Sequence, residues 1–138
     1  PHGCGARFEV RADVQVALRF VVPALVRERL DVSKGPFPGF RGTRLDGLAL
    51  DELVLSHLDL TGIKLRRASL VEADLRSSRL RFADLRDACL RLADLRRADL
   101  RGARLAGARL DGALVTRSDL RRAPLSEAQR RVLRVVDR

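Results

Sequence analysis

The sequence predicts an all-β solenoid, a fold in which short units of strand and turn repeat along the chain. An aliphatic residue recurs every five positions, most clearly in "ADLRDACLRLADLRRADLRGA" over 83–103, where leucine occupies 85, 90, 95 and 100. Five steps along an α-helix turn a side chain by about 140°, which scatters these leucines over every face. A plain strand sends them alternately to opposite faces. The chain must therefore run extended for a few residues and then turn a corner, repeatedly.

The second observation is that each position within the five-residue unit favours its own type of residue. Residues 43–127 divide into consecutive fives without an insertion. The first residue and the central leucine lie two apart, so both point to the interior, while the second and fourth positions face solvent. Aspartate is common at the second position and arginine at the fourth. The fifth position is the predicted corner, and glycine occupies it in five units (Gly47, Gly62, Gly102, Gly107 and Gly112).

The run of A-D-L-x-x units resembles the pentapeptide-repeat proteins. This resemblance implies a right-handed quadrilateral parallel β-helix, in which four pentapeptides form one square coil, so residues 43–127 make about four coils. Four early units depart from the family pattern because they carry a large aliphatic residue at the first position (Leu48, Leu53, Leu58 and Ile63). We expect the first coil to be wider, distorted or splayed.

The two flanks are predicted to cover the solenoid. Residues 1–42 form an N-terminal extension, in which alternation of apolar residues over 7–21 favours a strand over a helix, and 23–30 favour a short helix. Residues 128–138 are predicted to form a C-terminal capping helix, with Ser126 as its N-cap and Gln129 three residues later. The apolar strip of this helix either caps the last coil or forms a homodimer through the C-terminal end (Val132, Leu133, Val135 and Val136).

Composition limits the classes of partner and compartment. The chain has 138 residues, enough for one domain, and a net charge of +10 that comes almost entirely from arginine. A GC-rich coding sequence explains this bias as well as attraction to an anionic partner does. Cys4 and Cys89 lie far apart without metal-ligand spacing, which predicts reduced thiols and a cytoplasmic location. No segment is apolar enough to predict a membrane span. The start at Pro1, rather than Met, is typical of a processed product or a fragment.

The sequence contains no constellation that predicts an enzyme. His2 and His57 are the only histidines, and neither lies in a nucleophile, metal-binding or phosphate-binding motif. We therefore predict no catalytic residue, no metal ligand and no cofactor.

Two surfaces of the predicted β-helix are candidate interaction sites. The side through Leu50, Leu70, Leu90 and Leu110 is more acidic than the others and carries apolar residues at positions that should face solvent, so we expect the N-terminal strand or a partner protein to cover it. The residues of this candidate face are Val71, Glu72, Cys89 and Leu92, with Phe82 at a corner leading into it. A candidate basic surface comprises Arg81, Arg101, Arg121, Arg130, Arg131 and Arg134. Aspartates two residues before several arginines are expected to form ion pairs with them.

These features favour a non-catalytic protein-interaction scaffold with a protein partner. The resemblance implies an alternative, a protein that protects DNA gyrase or another topoisomerase by imitating DNA, but that role needs an anionic rod and this chain is cationic. Sequence-nonspecific binding of nucleic acid or another polyanion is a further alternative. The low aromatic content of 4% argues against base stacking in such a complex.

Overall fold

The computed structural model describes Cys4 and residues 40–137. The predicted strand over 7–21 and the predicted helix over 23–30 lie outside the described residues, as does most of the predicted N-terminal extension.

The repeat region is a stack of coils in which each residue lies above the residue 20 positions away. Isolated parallel bridges join Arg44 to Lys64, and bridges of the same spacing continue as far as Asp94 with Leu114. Between coils, the N–H of each central leucine from Leu45 to Leu95 donates to the carbonyl 19 residues later, as Leu80 does to Asp99 at 2.9 Å. Four pentapeptides therefore complete one coil, which confirms the quadrilateral period.

The corners lie at the fourth and fifth positions of each unit. The carbonyl of the central leucine accepts a hydrogen bond from the first residue of the next unit, as Leu75 does from Ser78 at 3.2 Å. The residue at the fifth position is left-handed, with φ of 56° at Ser77 and 71° at Gly102. Positive φ at the third turn residue alone is the pattern of a type II turn, for which glycine is the least strained residue.

The interior consists of two aliphatic layers, as the sequence predicts. Leu75, Leu80, Leu85 and Leu90 are fully buried, and the alanines that begin the neighbouring units lie beside them. Because most units pair a leucine with an alanine, the square interior is filled by one large and one small side chain per unit. Each buried leucine contributes about 1.5–3 kcal/mol by leaving water.

The large residues of the early units also point inward. Leu53, Leu58 and Ile63 are buried, and the bridges in this region keep the same spacing of 20 residues. The register therefore does not change where both inward positions are large. An apolar cavity of about 20 Å³ remains between Phe40, Leu45 and the surrounding aliphatic residues, at the N-terminal end of the stack.

The C-terminal end differs from the prediction in two ways. The strand β1 (Leu114–Thr116) is followed by the helix α1 (Arg117–Arg122), so the coils end before residue 127. The helix α2 (Glu127–Val132) ends six residues before the chain does, and β2 (Arg134–Val136) then pairs in parallel with β1. The prediction of repeats to 127 and of a helix over 128–138 is therefore wrong in its bounds.

The caps of the two helices explain where these elements begin. At α1, the Thr116 hydroxyl accepts from the Asp119 N–H while the Asp119 carboxylate accepts from the Thr116 N–H, which forms a capping box. At α2, Ser126 and Gln129 form the same arrangement, as the sequence predicts. The Gln129 side-chain amide also donates to the carbonyls of Leu105 and Ala108 at 2.7 and 3.1 Å, which joins α2 to the last coil.

The cysteines form a disulfide, contrary to the expectation of reduced thiols. Cys4 and Cys89 are bonded with their Cα atoms 5.6 Å apart, across 85 residues of sequence. The sequence did not predict this pairing, because a separation of 85 residues along the chain does not indicate which residues lie close together in space. The cytoplasmic location rested on reduced thiols and stays a prediction without that support.

Candidate interaction surfaces

Phe82 is the most exposed large apolar residue of the described part of the chain, with 59% of its surface accessible. It occupies a fifth position and has a φ of 58°, so its side chain projects from a corner of the stack. The ring lies over Gly102 in the next coil: a Cβ placed on Gly102 would be only 2.5 Å from Phe82 Cδ1. The Arg81 guanidinium carbon lies 5.4 Å from the ring centroid, a cation–π contact.

The other residues of the predicted interaction face have different surroundings. Cys89 is buried and bonded to Cys4, so a residue of the N-terminal extension does contact this side, whereas Val71 is half-buried and Glu72 is exposed. Leu92 is 51% exposed. Phe82 and Leu92 are separated by two pentapeptides, or half a coil, so they lie at opposite corners. The prediction that Phe82 leads into the face of Leu92 is therefore wrong.

Aspartate and arginine form bidentate pairs along the outside of the coils. In the pair of Asp84 and Arg86, Nε donates to Oδ1 at 2.8 Å and Nη2 donates to Oδ2 at 2.6 Å. The same geometry joins Asp94 with Arg96 and recurs at Asp74–Arg76 and Asp99–Arg101. The expected ion pairs are confirmed at these four aspartates, and they neutralise much of the charge that stacked arginines would otherwise bring together.

Three of these pairs lower the pKa of their carboxyl group, namely those of Asp74, Asp84 and Asp99. Hydrogen bonds from the Arg86 side chain hold the pKa of Asp84 at about 2, against burial, which acts in the opposite direction. For Asp74, burial raises the pKa, but hydrogen bonds from Arg76 outweigh it and the net shift is downward. The Arg76 guanidinium also lies 3.8 Å from Asp94 in the next coil, which links successive pairs.

The candidate basic surface is not one continuous patch. Arg101 is bound to Asp99, and Arg121 lies in α1 rather than above Arg101, because the repeat has ended there. Arg130 donates to the carbonyls of Leu120, Ala123 and Leu125 and so closes the end of α1. Arg131 pairs with Glu127 at 2.8 Å. Arg81 contacts Phe82, and Arg134 is exposed in β2.

The apolar residues at the C-terminus divide between the two predicted roles. Leu133 is half-buried and packs against the core, and Val136 is also half-buried, as a cap requires. Val132 and Val135 are 42% and 41% exposed. The homodimer contact therefore stays a prediction.

A polar cavity lies where the coils give way to α1, and sequence reasoning missed it. Its walls include Arg97 and Leu100 from the last full coil together with Asp119 and Arg122 from α1. The segment 118–122 reads "SDLRR", which fits the five-residue grid as well as "ADLRR" does. The only local signal against another repeat unit is Thr116 with Asp119, the spacing of a capping box.

Within Cys4 and residues 40–137, no three or more His, Cys, Asp or Glu side chains are grouped as metal ligands. The helices in this part of the chain lack the length and hydrophobicity of a membrane-spanning helix.

The 20-residue coil, the left-handed corners and the aliphatic layers define this protein as a β-helical solenoid built from pentapeptides. The family model for pentapeptide repeats matches residues 59–97 and 93–129, in eight copies. The chain belongs to the pentapeptide-repeat family, whose members form right-handed β-helices and are generally non-catalytic structural modules.

Solved structures of the same family resemble the chain to different extents. The crystal structure of alr5209, a pentapeptide repeat protein from Nostoc Pcc 7120, is 30% identical with a TM-score of 0.60, covering 82% of this chain and 94% of that one. HetL, a pentapeptide repeat protein involved in heterocyst differentiation regulation from Nostoc sp. strain PCC 7120, is 36% identical with a TM-score of 0.36, covering 56% of this chain and 38% of its own. QnrB1, a plasmid-mediated fluoroquinolone resistance protein, is 15% identical with a TM-score of 0.38, covering 72% and 55%. Among curated proteins, none matches the sequence significantly.

Proposed function

We propose that this protein is a non-catalytic scaffold that binds another protein through the corner formed by Arg81 and Phe82. The observation that carries the proposal is the 59% exposure of Phe82, an aromatic ring held over Gly102 on a regular coil stack. Aromatic and arginine side chains dominate the energy of protein–protein interfaces, and here the two types are adjacent in sequence and in contact.

The corner geometry supports this role because it restricts the ring before any partner binds. Phe82 is fixed at a left-handed residue whose N–H donates to the Arg101 carbonyl of the next coil at 3.1 Å. Gly102 beneath the ring has no side chain to push it away. An anchor that is already ordered loses little conformational freedom on binding, so more of its burial energy is retained as affinity.

The experiment is affinity capture from the native lysate with wild-type protein, Phe82→Ala and Leu92→Ala, each in the presence of heparin as a competing polyanion. Leu92→Ala is the matched control because Leu92 is also an exposed apolar residue at a corner, but at the opposite one. We expect one protein to be retained by the wild type and by Leu92→Ala and to be lost with Phe82→Ala. Equal retention by all three proteins would show that the Phe82 corner is not the contact.

Electrostatics disfavour the two alternative functions. A rod that imitates DNA on a topoisomerase needs negative charge, and this chain carries a net charge of +10. Binding to nucleic acid needs available cations, whereas four outer arginines of the coils are held in bidentate pairs with aspartate. Retention that heparin abolishes for wild type and both variants alike would favour polyanion binding over the proposed function.

A further inference from the structure

The cavity between the last full coil and α1 has the volume of a small ligand site. It measures about 120 Å³, several times the roughly 10–15 Å³ that one water needs on the same measure. One wall is the turn and strand of residues 97–101, and the other is α1, which contributes Asp119 and Arg122. The site is independent of the Phe82 corner, so it adds to the proposed function rather than resting on it.

The charged groups of this cavity leave positive charge without a counter-ion. Asp99 accepts two hydrogen bonds from the Arg101 guanidinium, at 2.8 and 2.6 Å. Asp119 accepts from the N–H of Arg97 at 2.7 Å and from Thr116. Both carboxylates are therefore occupied by partners that hold the fold together. The guanidinium groups of Arg97 and Arg122 have no ion-pair partner among the residues that the structure describes.

A backbone donor in the same wall also lacks an acceptor. In the coils below, the N–H of each central leucine donates to the carbonyl 19 residues later, as from Leu80 to Asp99. Residue 119 belongs to α1 instead of a further coil, so the N–H of Leu100 has no hydrogen-bond acceptor within residues 40–137. Leu100 is only 4% exposed. The N–H groups of Leu105 and Leu110 likewise have no acceptor among residues 40–137, because the stack of coils ends above them too, but of the three only Leu100 lines the cavity. A main-chain donor in a cavity wall is available to a bound ligand or to an ordered water.

We propose that this cavity binds a small phosphate-type oxyanion, such as inorganic phosphate or a phosphate monoester. A phosphate group carries two negative charges and several acceptor oxygens, which suits two guanidinium groups and one backbone N–H. Three arginines and two aspartates line the cavity, so its net charge is +1 (Arg97, Arg101, Arg122, Asp99 and Asp119). This charge favours an anion over a cation or a neutral molecule. The ligand would also join the last coil to α1, the two elements that form the walls.

The test is isothermal titration of the full chain with inorganic phosphate at constant ionic strength, with chloride as the reference anion. We expect saturable phosphate binding by the wild type and a dissociation constant at least about tenfold weaker in Arg122→Gln and in Arg97→Gln, since each loses a charge-assisted contact. Arg121→Gln is the matched control. It removes the same charge from the same helix at a residue that does not line the cavity, so we expect a change of less than about twofold.

A second measurement separates specific binding from general attraction to a basic protein. In amide-resolved NMR titrations with phosphate, we expect the Leu100 N–H resonance to shift and saturate with the wild type and to stay unchanged with Arg122→Gln. Two outcomes would overturn the proposal: phosphate binding no stronger than chloride binding, or equal weakening in Arg121→Gln and Arg122→Gln. If a short single-stranded DNA binds the wild type but phosphate does not, the cationic surface attracts nucleic acid and the cavity is not a small-anion site.

Discussion

Replacement of Leu90 by alanine tests the central claim about the interior of the coils. Leu90 is fully buried and lies between Leu70 and Leu110 of the adjacent coils, which are also buried. Truncation removes three carbon atoms, which corresponds to a transfer free energy of about 2.4 kcal/mol. The stack cannot collapse locally, because hydrogen bonds between coils hold its sides apart, so a cavity adds to this cost. We expect the free energy of unfolding to fall by about 3–4 kcal/mol.

Leu92→Ala is the matched control, two residues away in the same pentapeptide. Leu92 points outward and is 51% exposed, so the same truncation removes few buried contacts. We expect a loss of about 1 kcal/mol or less. Thermal unfolding followed by circular dichroism distinguishes the two variants, because a loss of 3–4 kcal/mol lowers the melting temperature by roughly 10–15 °C in a chain of this size.

The two variants also have an outcome that contradicts the reasoning. If Leu90→Ala and Leu92→Ala shift the melting temperature equally, the five-residue unit does not place its third position inside and its fifth position outside. Chemical unfolding in urea provides an independent check, since a change in midpoint with an unchanged slope reports a change in stability alone.

Three further predictions concern the corners, the charged pairs and the disulfide. Gly102→Ala should destabilise the protein by about 1–3 kcal/mol in the presence of Phe82 and by less in a Phe82→Ala background, because the new Cβ meets the ring. A double-mutant cycle from urea midpoints measures this coupling between the two residues. Additive effects of the two substitutions would contradict it. The folded-state pKa of Asp84 is about 2, below its ordinary value of 3.8. The stability that this carboxylate contributes is therefore fully present above pH 3.8 and is lost as the pH falls through about 2. The stability advantage of wild type over Asp84→Asn should therefore shrink across that window in pH-dependent melts, and an advantage that is constant with pH would refute it. Cys4→Ser and Cys89→Ser should each lower the free energy of unfolding by up to about 4–5 kcal/mol under non-reducing conditions, because the disulfide closes a loop of 85 residues. A wild-type melting temperature that does not change on adding a reductant would show that the bond is absent.

Much of the repeat region was predictable from sequence because its determinants are local. Whether a residue points inward depends on its place in five consecutive residues, and Leu85 and Gly102 occupy the inward and corner positions that the period assigns to them. The bidentate pairs were predictable for the same reason, since aspartate and arginine two residues apart lie on the same outer face. The N-cap of α2 at Ser126 likewise depends on a contact three residues long.

The candidate sites depended on contacts that no local pattern contains. Phe82 and Leu92 both read as apolar residues at solvent-facing positions, but the four-sided coil places them at opposite corners. The cavity beside Arg122 exists because α1 replaces a coil that the five-residue grid permitted, which leaves the Leu100 N–H without its usual acceptor.

By itself, the sequence determined the repeating unit of this protein: an extended segment with two inward aliphatic residues, a left-handed corner and a charged exterior. These properties follow from steric and solvation preferences within five residues. Only the tertiary structure decided where the stack ends, that β2 pairs in parallel with β1, and that Cys4 meets Cys89. Those outcomes depend on which groups lie free at the end of the last coil and on which residues meet across a long stretch of chain, and sequence spacing records neither.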